Sequence, residues 1–323
     1  MNPRSSSRRS FLRHSALAGT GLLLSRDLMA LGSSFKGGVT LGTITYSFRS
    51  LPGDAESVLK YCKDAGISAI ELMGDTAEAF AGSPAGLMAP MGPGFKFDDA
   101  FRKQMQERNA KAKAWRETTG MEKFVELRKK YNAAGVSIYA YKPNALNPDS
   151  SDAEIEYAMK AAKALGANSV TVELPKEASH SKRLGDFASK HKVYVGYHAH
   201  TQATDTAWDE ALAQSPYNSM NLDCGHYIAA GGANTKETLL ALIQKNNKRI
   251  TSMHIKDRTT QDHGAGNLPW GQGDTPIKEI LQLLRDKKYD IPATIELEYE
   301  VPKDSDPVKE VAKCLAYAKA AIA

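Results

Sequence analysis

Eight times between Val39 and the carboxyl terminus, a short run of β-branched or apolar residues gives way to an amphipathic stretch of helical period. Strands are predicted at 39–46, 69–73, 137–141, 169–173, 193–198, 219–223, 250–255 and 293–298. Helices are predicted at 56–65, 121–134, 152–165, 183–190, 206–214, 235–246, 276–287 and 306–322. A buried strand followed by a return helix is the unit of a parallel sheet. Eight such units in series predict an α/β fold, a single (β/α)8 TIM barrel over 37–323.

Composition agrees with one soluble barrel. Of 323 residues, 42% are hydrophobic and 24% charged, an ordinary globular mixture that excludes disordered, collagen-like and coiled-coil classes. The formal charge of +5 is concentrated at the start, where Arg4, Arg8, Arg9, Arg13 and Arg26 are opposed only by Asp27. The rest carries 37 basic against 36 acidic groups, so no nucleic-acid partner is expected. Three cysteines, Cys62, Cys224 and Cys314, are too few and too scattered for a disulfide framework.

Residues 1–30 read as an export signal: a basic start, an apolar run over 16–24, and small residues near Ala30. The stretch Ser7-Arg8-Arg9-Ser10-Phe11-Leu12-Arg13 resembles the twin-arginine export motif. That resemblance implies the twin-arginine machinery as a partner, passage across the membrane in the folded state, and a periplasmic location. The apolar run is shorter than the roughly 20 residues a bilayer span needs, so no stable membrane anchor is expected.

One segment breaks the rhythm of the barrel. Residues 75–119 form an insertion after the second strand, rich in Gly, Pro and Met over 81–95 and then charged and helical over 98–117. Long loops in compact domains are more often functional than idle. Two readings stand: a lid or pocket wall on the rim, or a surface decoration or dimer contact.

In a parallel barrel, chemistry collects at the carboxyl ends of the strands. The polar residues there are Glu71, Lys142, Glu173, His198 and His200, Asp223 and His226, His254 and Lys256, and Glu296 and Glu298. Four of the seven histidines beyond residue 30 lie at these ends. Any one of them alone is better explained as a hydrogen-bonded structural residue or helix cap. Together they converge on one mouth, where gathered carboxylates are costly unless a cation holds them. Mixed His and carboxylate ligands suit one divalent ion, Mn2+, Co2+, Zn2+ or Fe2+, better than Ca2+.

The body resembles the sugar phosphate isomerase/epimerase superfamily, the xylose-isomerase-like barrels that include an endonuclease branch. The matching stretches are Gly196-Tyr197-His198-Ala199-His200, Asn221-Leu222-Asp223-Cys224-Gly225-His226, Met253-His254-Ile255-Lys256-Asp257, Gly271-Gln272-Gly273-Asp274 and 289–296. The resemblance implies metal ligands at His198, Asp223, His254 and Glu296, with Glu298 as the alternative to Glu296. At the fifth strand the superfamily commonly has Glu, and His198 departs from it. His200 and His226 match substrate-side histidines, and pairing through helices or the rim insertion would make a homodimer.

Ketose epimerases of that superfamily use two metal-bound glutamates on opposite faces of the substrate. With His198 in place of one, a single carboxylate, Glu296 or Glu173, would remove a proton beside a carbonyl while the metal stabilises the enediolate. Lys142 or Lys256 would supply the acid or hold a substrate oxygen; both also read as ion-paired barrel lysines. Glu71 is a further substrate-side candidate. Trp270 reads either as a sugar-stacking face or as loop packing. The Gly271-Gln272-Gly273 turn reads as tight geometry before a helix capped by Asp274 or Thr275, not as a phosphate cradle.

The leading expectation is therefore an exported, metal-dependent sugar isomerase or epimerase acting on a carbohydrate. Its rival is a metal-dependent lyase or hydratase on 3-keto-glycosides by β-elimination. A third reading, of another class, is a non-catalytic sugar-binding barrel. The endonuclease branch is disfavoured by the near-neutral body.

Overall fold

The computed structural model describes residues 34–92 and 95–323; the expected export segment lies outside the described residues. Eight parallel strands close into a barrel: β1 Val39–Ile44, β2 Ala69–Met73, β3 Ser137–Lys142, β4 Ser169–Glu173, β5 Tyr194–His198, β6 Asn218–Asp223, β7 Ile250–Ile255 and β8 Ala293–Ile295. Closure comes from β8 pairing with both β7 and β1. A two-residue strand, Phe35–Lys36, adds antiparallel to β1.

The strands alternate with period two. Along β7, Met253 and Ile255 are buried in the hydrophobic core, while Ser252, His254 and, just past the strand, Lys256 are equally buried but polar. Apolar residues such as Leu41, Leu72, Val170, Val195, Leu222 and Ile295 alternate in the same way on their strands. Thr171, Asn221 and Thr294 fill the polar positions, all fully buried. Such an interior is tolerable only because its polar atoms bond one another.

Helices end where local chemistry tells them to. Ser151 and Glu154 form a capping box at the start of Asp152–Leu165, and Gly166 closes that helix with a positive φ. Asp54 and Asp306 cap the helices that begin at Ala55 and Pro307. All three cysteines are buried free thiols.

Several boundaries differ from expectation for identifiable reasons. β1 ends at Ile44 rather than 46, and β8 at Ile295 rather than 298, because β1 passes into a 3-10 turn, Thr45–Phe48. Ser47 then takes the amide of Leu297, and Arg49 donates to its carbonyl. Leu297 is thus held by side chains, while Glu296 still donates its amide to the Ile255 carbonyl of β7. The helix expected at 183–190 runs over Ala178–His191, and the one expected at 206–214 is only Asp209–Gln214. Neither Asp274 nor Thr275 caps the helix Ile277–Lys287, whose first turn has no side-chain cap. Asp274 instead accepts from the Thr260 amide, and the Thr275 hydroxyl from the Arg258 amide, both on the loop after β7.

The insertion contributes a short helix, Gly74–Phe80, and a long one, Asp99–Thr118. The long helix is pinned by Arg116, whose guanidinium reaches Glu78 at 2.8 Å and Glu154 at 3.4 Å in a buried cluster. Between the helices, Arg108 gathers the carbonyls of Ala85, Gly86 and Leu87. Met88, Ala89 and Met91 close a small cavity against Tyr46, Phe48 and Arg49. This part of the insertion forms wall at the carboxyl-end rim. A larger cavity, about 560 Å³, opens at the opposite end of the barrel among Thr40, Ser137, Asn168 and Asn247. It contains none of the His and carboxylate residues above.

Candidate active site

Parallel register places the polar strand ends side by side. Glu173 pairs with His198, His198 with Asn221, Asp223 with His254, and His254 with Thr294. Asp223 is split between two tasks. Its Oδ1 accepts the His226 amide at 2.6 Å, capping the short helix Cys224–Ala230 that the sequence pattern did not reveal. Its Oδ2 is buried and receives no directed hydrogen bond. Around Oδ2 lie Lys256 Nζ at 3.0 Å and His198 Nε2, His226 Nε2 and His254 Nδ1, each at 3.9 Å.

The histidines have distinct states. His198 shares a hydrogen bond with Asn221 Oδ1 through Nδ1, at 2.9 Å. Because the Asn221 amide nitrogen is committed to Ser252 and Glu71, the oxygen faces His198, and Nδ1 must be the donor. That leaves the Nε2 lone pair directed toward the mouth. Burial, with the His254 and Lys142 charges, pushes His198 down to about 3, so it stays neutral. His254 is the opposite case: burial disfavours its charge, but Glu296 on Nδ1 at 2.9 Å and Glu71 on Nε2 at 2.8 Å raise it to about 10. His226 is held at about 2 by burial and Lys256. Arg258 stands 2.6 Å from its Nδ1 and Lys256 3.2 Å from its Nε2. A neutral imidazole accepts at one nitrogen only, so just one of these contacts is a hydrogen bond.

The expected site residues fall into groups. His198, Asp223, His254, Glu296, Lys256 and His226 meet in one buried cluster at the base of the mouth. Glu173, half exposed, stands on the rim with Lys142 at 3.0 Å and His200 at 3.4 Å. Partial burial opposes ionisation, yet the Lys142 ammonium holds its carboxyl at about 2. Glu71 lies fully buried beneath His254, accepting from Thr171 at 2.5 Å as well. There it supports the histidine, away from the open mouth. Trp270 packs edge-on against Tyr317 of the last helix, ring centroids 6.0 Å apart. Glu298 contacts Lys256 at 2.7 Å and keeps some exposure.

Asn221 and Arg258 were not anticipated. Both carried a signal, since Asn221 is two residues before Asp223 and Arg258 two after Lys256, on the same faces of their strands.

Xylose-isomerase-like barrels often hold metals, and the donor set here fits one. One donor atom from each of His198, Asp223 and His254 lies within 4.8 Å of the others, and a second trio, His198, His200 and His226, sits beside it. The first trio contains the orphaned Asp223 oxygen and the free Nε2 of His198. It also contains His254, whose Nε2 is held by Glu71, the arrangement that orients a metal-binding imidazole; its Nδ1 would become a donor only on releasing the proton it shares with Glu296.

The Gly271-Gln272-Gly273 turn is occupied from within. Asp257 Oδ2 accepts the amides of these three residues at 2.7, 3.1 and 3.0 Å, and Oδ1 that of Thr275 at 3.3 Å. Backbone amides that could cradle a phosphate are spent on the protein's own carboxylate.

Eight parallel strands closed into a barrel, with their polar residues gathered at the carboxyl ends, define a TIM-barrel protein. The chain belongs to the Xylose isomerase-like TIM barrel family, whose sequence pattern matches residues 59–318. No curated protein matches the chain. Similar solved structures include a sugar phosphate isomerase/epimerase from Parabacteroides distasonis, 17% identical, covering 88% of this chain and 94% of that one at a TM-score of 0.55. The 3-keto-D-glucoside 4-epimerase of E. coli is 13% identical over 87% of this chain and 99% of its own, TM-score 0.58. A probable 3-DHS dehydratase from Bacillus anthracis is 16% identical over 86% and 99%, TM-score 0.58. At these identities the likeness is one of fold.

Proposed function

We propose that this chain is an exported, divalent-metal-dependent enzyme that removes a proton beside a carbonyl of a sugar, giving isomerisation or epimerisation. The observation that carries this reading is the buried meeting of His198, Asp223 and His254 around an unsatisfied Asp223 oxygen, with Glu296 alongside. These four residues would hold the ion, Mn2+, Co2+, Zn2+ or Fe2+, which when bound supplies Lewis-acid stabilisation of negative charge on a substrate oxygen. Glu296 accepts the proton from the carbon beside the carbonyl. Glu173 ends β4, the strand across the barrel from β8, so the two carboxylates flank the mouth from opposite walls. Lys142, paired with Glu173, donates on that far side, and His200 and His226 contact hydroxyls. The Asp257 carboxylate filling the glycine turn favours a neutral sugar over a sugar phosphate.

A second reading is elimination from a 3-keto-glycoside, favoured by the Lys142–Glu173 pair. Here Glu296 takes the proton, the electron pair forms a carbon–carbon double bond, and Lys142 protonates the departing glycosidic oxygen. The mature protein loaded with Mn2+ and incubated in D2O with ketoses, and separately with 3-keto-glycosides, distinguishes them. Deuterium at the carbon beside the carbonyl, with interconversion of ketoses, is the expected result. Aglycone release without change in the ketoses would replace the first reading with the second. Sugar binding without turnover at any metal loading would leave a binding barrel. Export is tested by cell fractionation of the full chain and of a variant with Arg8 and Arg9 changed to Lys.

A further inference from the structure

We infer that Lys256 is an internal competitor for the metal, its ammonium standing where a bound ion would draw on the same carboxylate oxygens. This rests on the metal reading above and adds a resident of the site to it. Nζ lies 3.0 Å from Asp223 Oδ2, 2.6 Å from Glu296 Oε2 and 2.7 Å from Glu298 Oε2. An ammonium has three protons, and three carboxylates from two strand ends surround this one. The side chain is 3% exposed, so almost no water contributes. Lys256, with the charged His254, offsets part of the cluster's negative charge without any ion.

The overlap is atom for atom. Asp223 Oδ2 and Glu296 Oε2, two of the three oxygens Lys256 touches, are also the two facing His254 Nδ1, at 3.9 and 2.9 Å. Asp223 Oδ2 faces His198 Nε2 as well. A divalent ion taking these oxygens would have a lysine ammonium within contact distance of its own ligands. Two cations cannot share them without strong repulsion. The ammonium must give way, and Glu298 marks the route: it is the partner with the most exposed side chain, 24% against 8% for Glu296 and none for Asp223. On this account Glu298 receives the displaced ammonium while Glu296 remains with the ion. The lysine thus weakens metal binding and keeps the metal-free barrel folded.

The test is metal affinity, measured on chelator-stripped protein by calorimetry with Mn2+ and then Zn2+, with melting temperature followed in parallel. Lys256→Met should bind metal at least ten-fold more tightly than the unchanged chain, equivalent to about 1.4 kcal/mol. It should melt lower without metal and gain more from metal than the unchanged chain does. Should Lys256→Met not fold, Lys256→Gln, neutral and close in length, carries the same comparison. Equal or weaker binding by the variant, while the unchanged chain binds, would overturn the competitor role and leave the metal reading standing. Failure of both chains to bind either ion would remove the metal reading, and this inference with it.

Discussion

Asn221 holds His198 in one tautomer: the ring donates from Nδ1 to the carboxamide oxygen at 2.9 Å, and its Nε2 is left as a bare lone pair beside Asp223. Outer partners of this kind commonly set metal affinity by 10- to 100-fold. Asn221→Ala should therefore weaken Mn2+ binding by roughly ten-fold or more, with the barrel still folded. Calorimetric titration of stripped protein measures this, and unchanged affinity would mean that His198 is not a ligand.

The metal-free chain should be most stable near neutrality. His198 and His226 are held at about 3 and about 2 by burial and neighbouring cations, whereas the unfolded chain takes up protons on both below pH about 6.5. Their contribution is fully present above that pH and is lost as pH falls toward the native values, at up to about 1.4 kcal/mol per unit for each. His254 has the reverse sign, because Glu296 and Glu71 overcome its burial and raise it to about 10. Its contribution is complete below pH about 6.5 and disappears as pH rises through 10. Denaturant melts of chelated protein from pH 4 to 10 should trace a maximum; a monotonic curve would contradict the assigned states.

Arg116 fastens the insertion to the barrel through Glu78 and Glu154, all three nearly inaccessible. Arg116→Met strands two buried carboxylates and should cost about 3–5 kcal/mol. Limited proteolysis should then cut within Asp99–Thr118 ahead of the barrel. Resistance equal to that of the unchanged chain would show the helix to be held by its apolar contacts, such as Trp115 on Tyr157.

Asp257 organises the turn after β7 by accepting four amides. Asp257→Ala leaves them to water and should lower stability by about 2 kcal/mol. The amides of 271–275 should exchange markedly faster while those of β7 do not. Slow exchange across the turn in the variant would mean that the carboxylate is not its anchor.

The barrel was legible because period and chain order carry it: eight apolar runs with return helices leave few alternatives. The strand-end residues followed from the same alternation, which named Glu173, His198, Asp223 and His254 from position alone. Glu71 shows where that logic stops. It faces inward as the alternation requires, but β2 continues to Met73, so Glu71 sits below the mouth. Depth depends on the stagger of neighbouring strands, which no single run records. The register shift between β2 and β3, which passes over Tyr139, is a local example.

What the sequence by itself determined is the architecture and the chemical character of one end, since hydrophobic period and residue type are local properties. Only the tertiary structure decided how the polar groups are shared: Asp223 capping a helix with one oxygen and facing the site with the other, Asn221 setting the His198 tautomer, and Lys256 placed among three carboxylates. Those choices rest on distances of about 3 Å between residues on different strands, and such distances exist only once the barrel has closed.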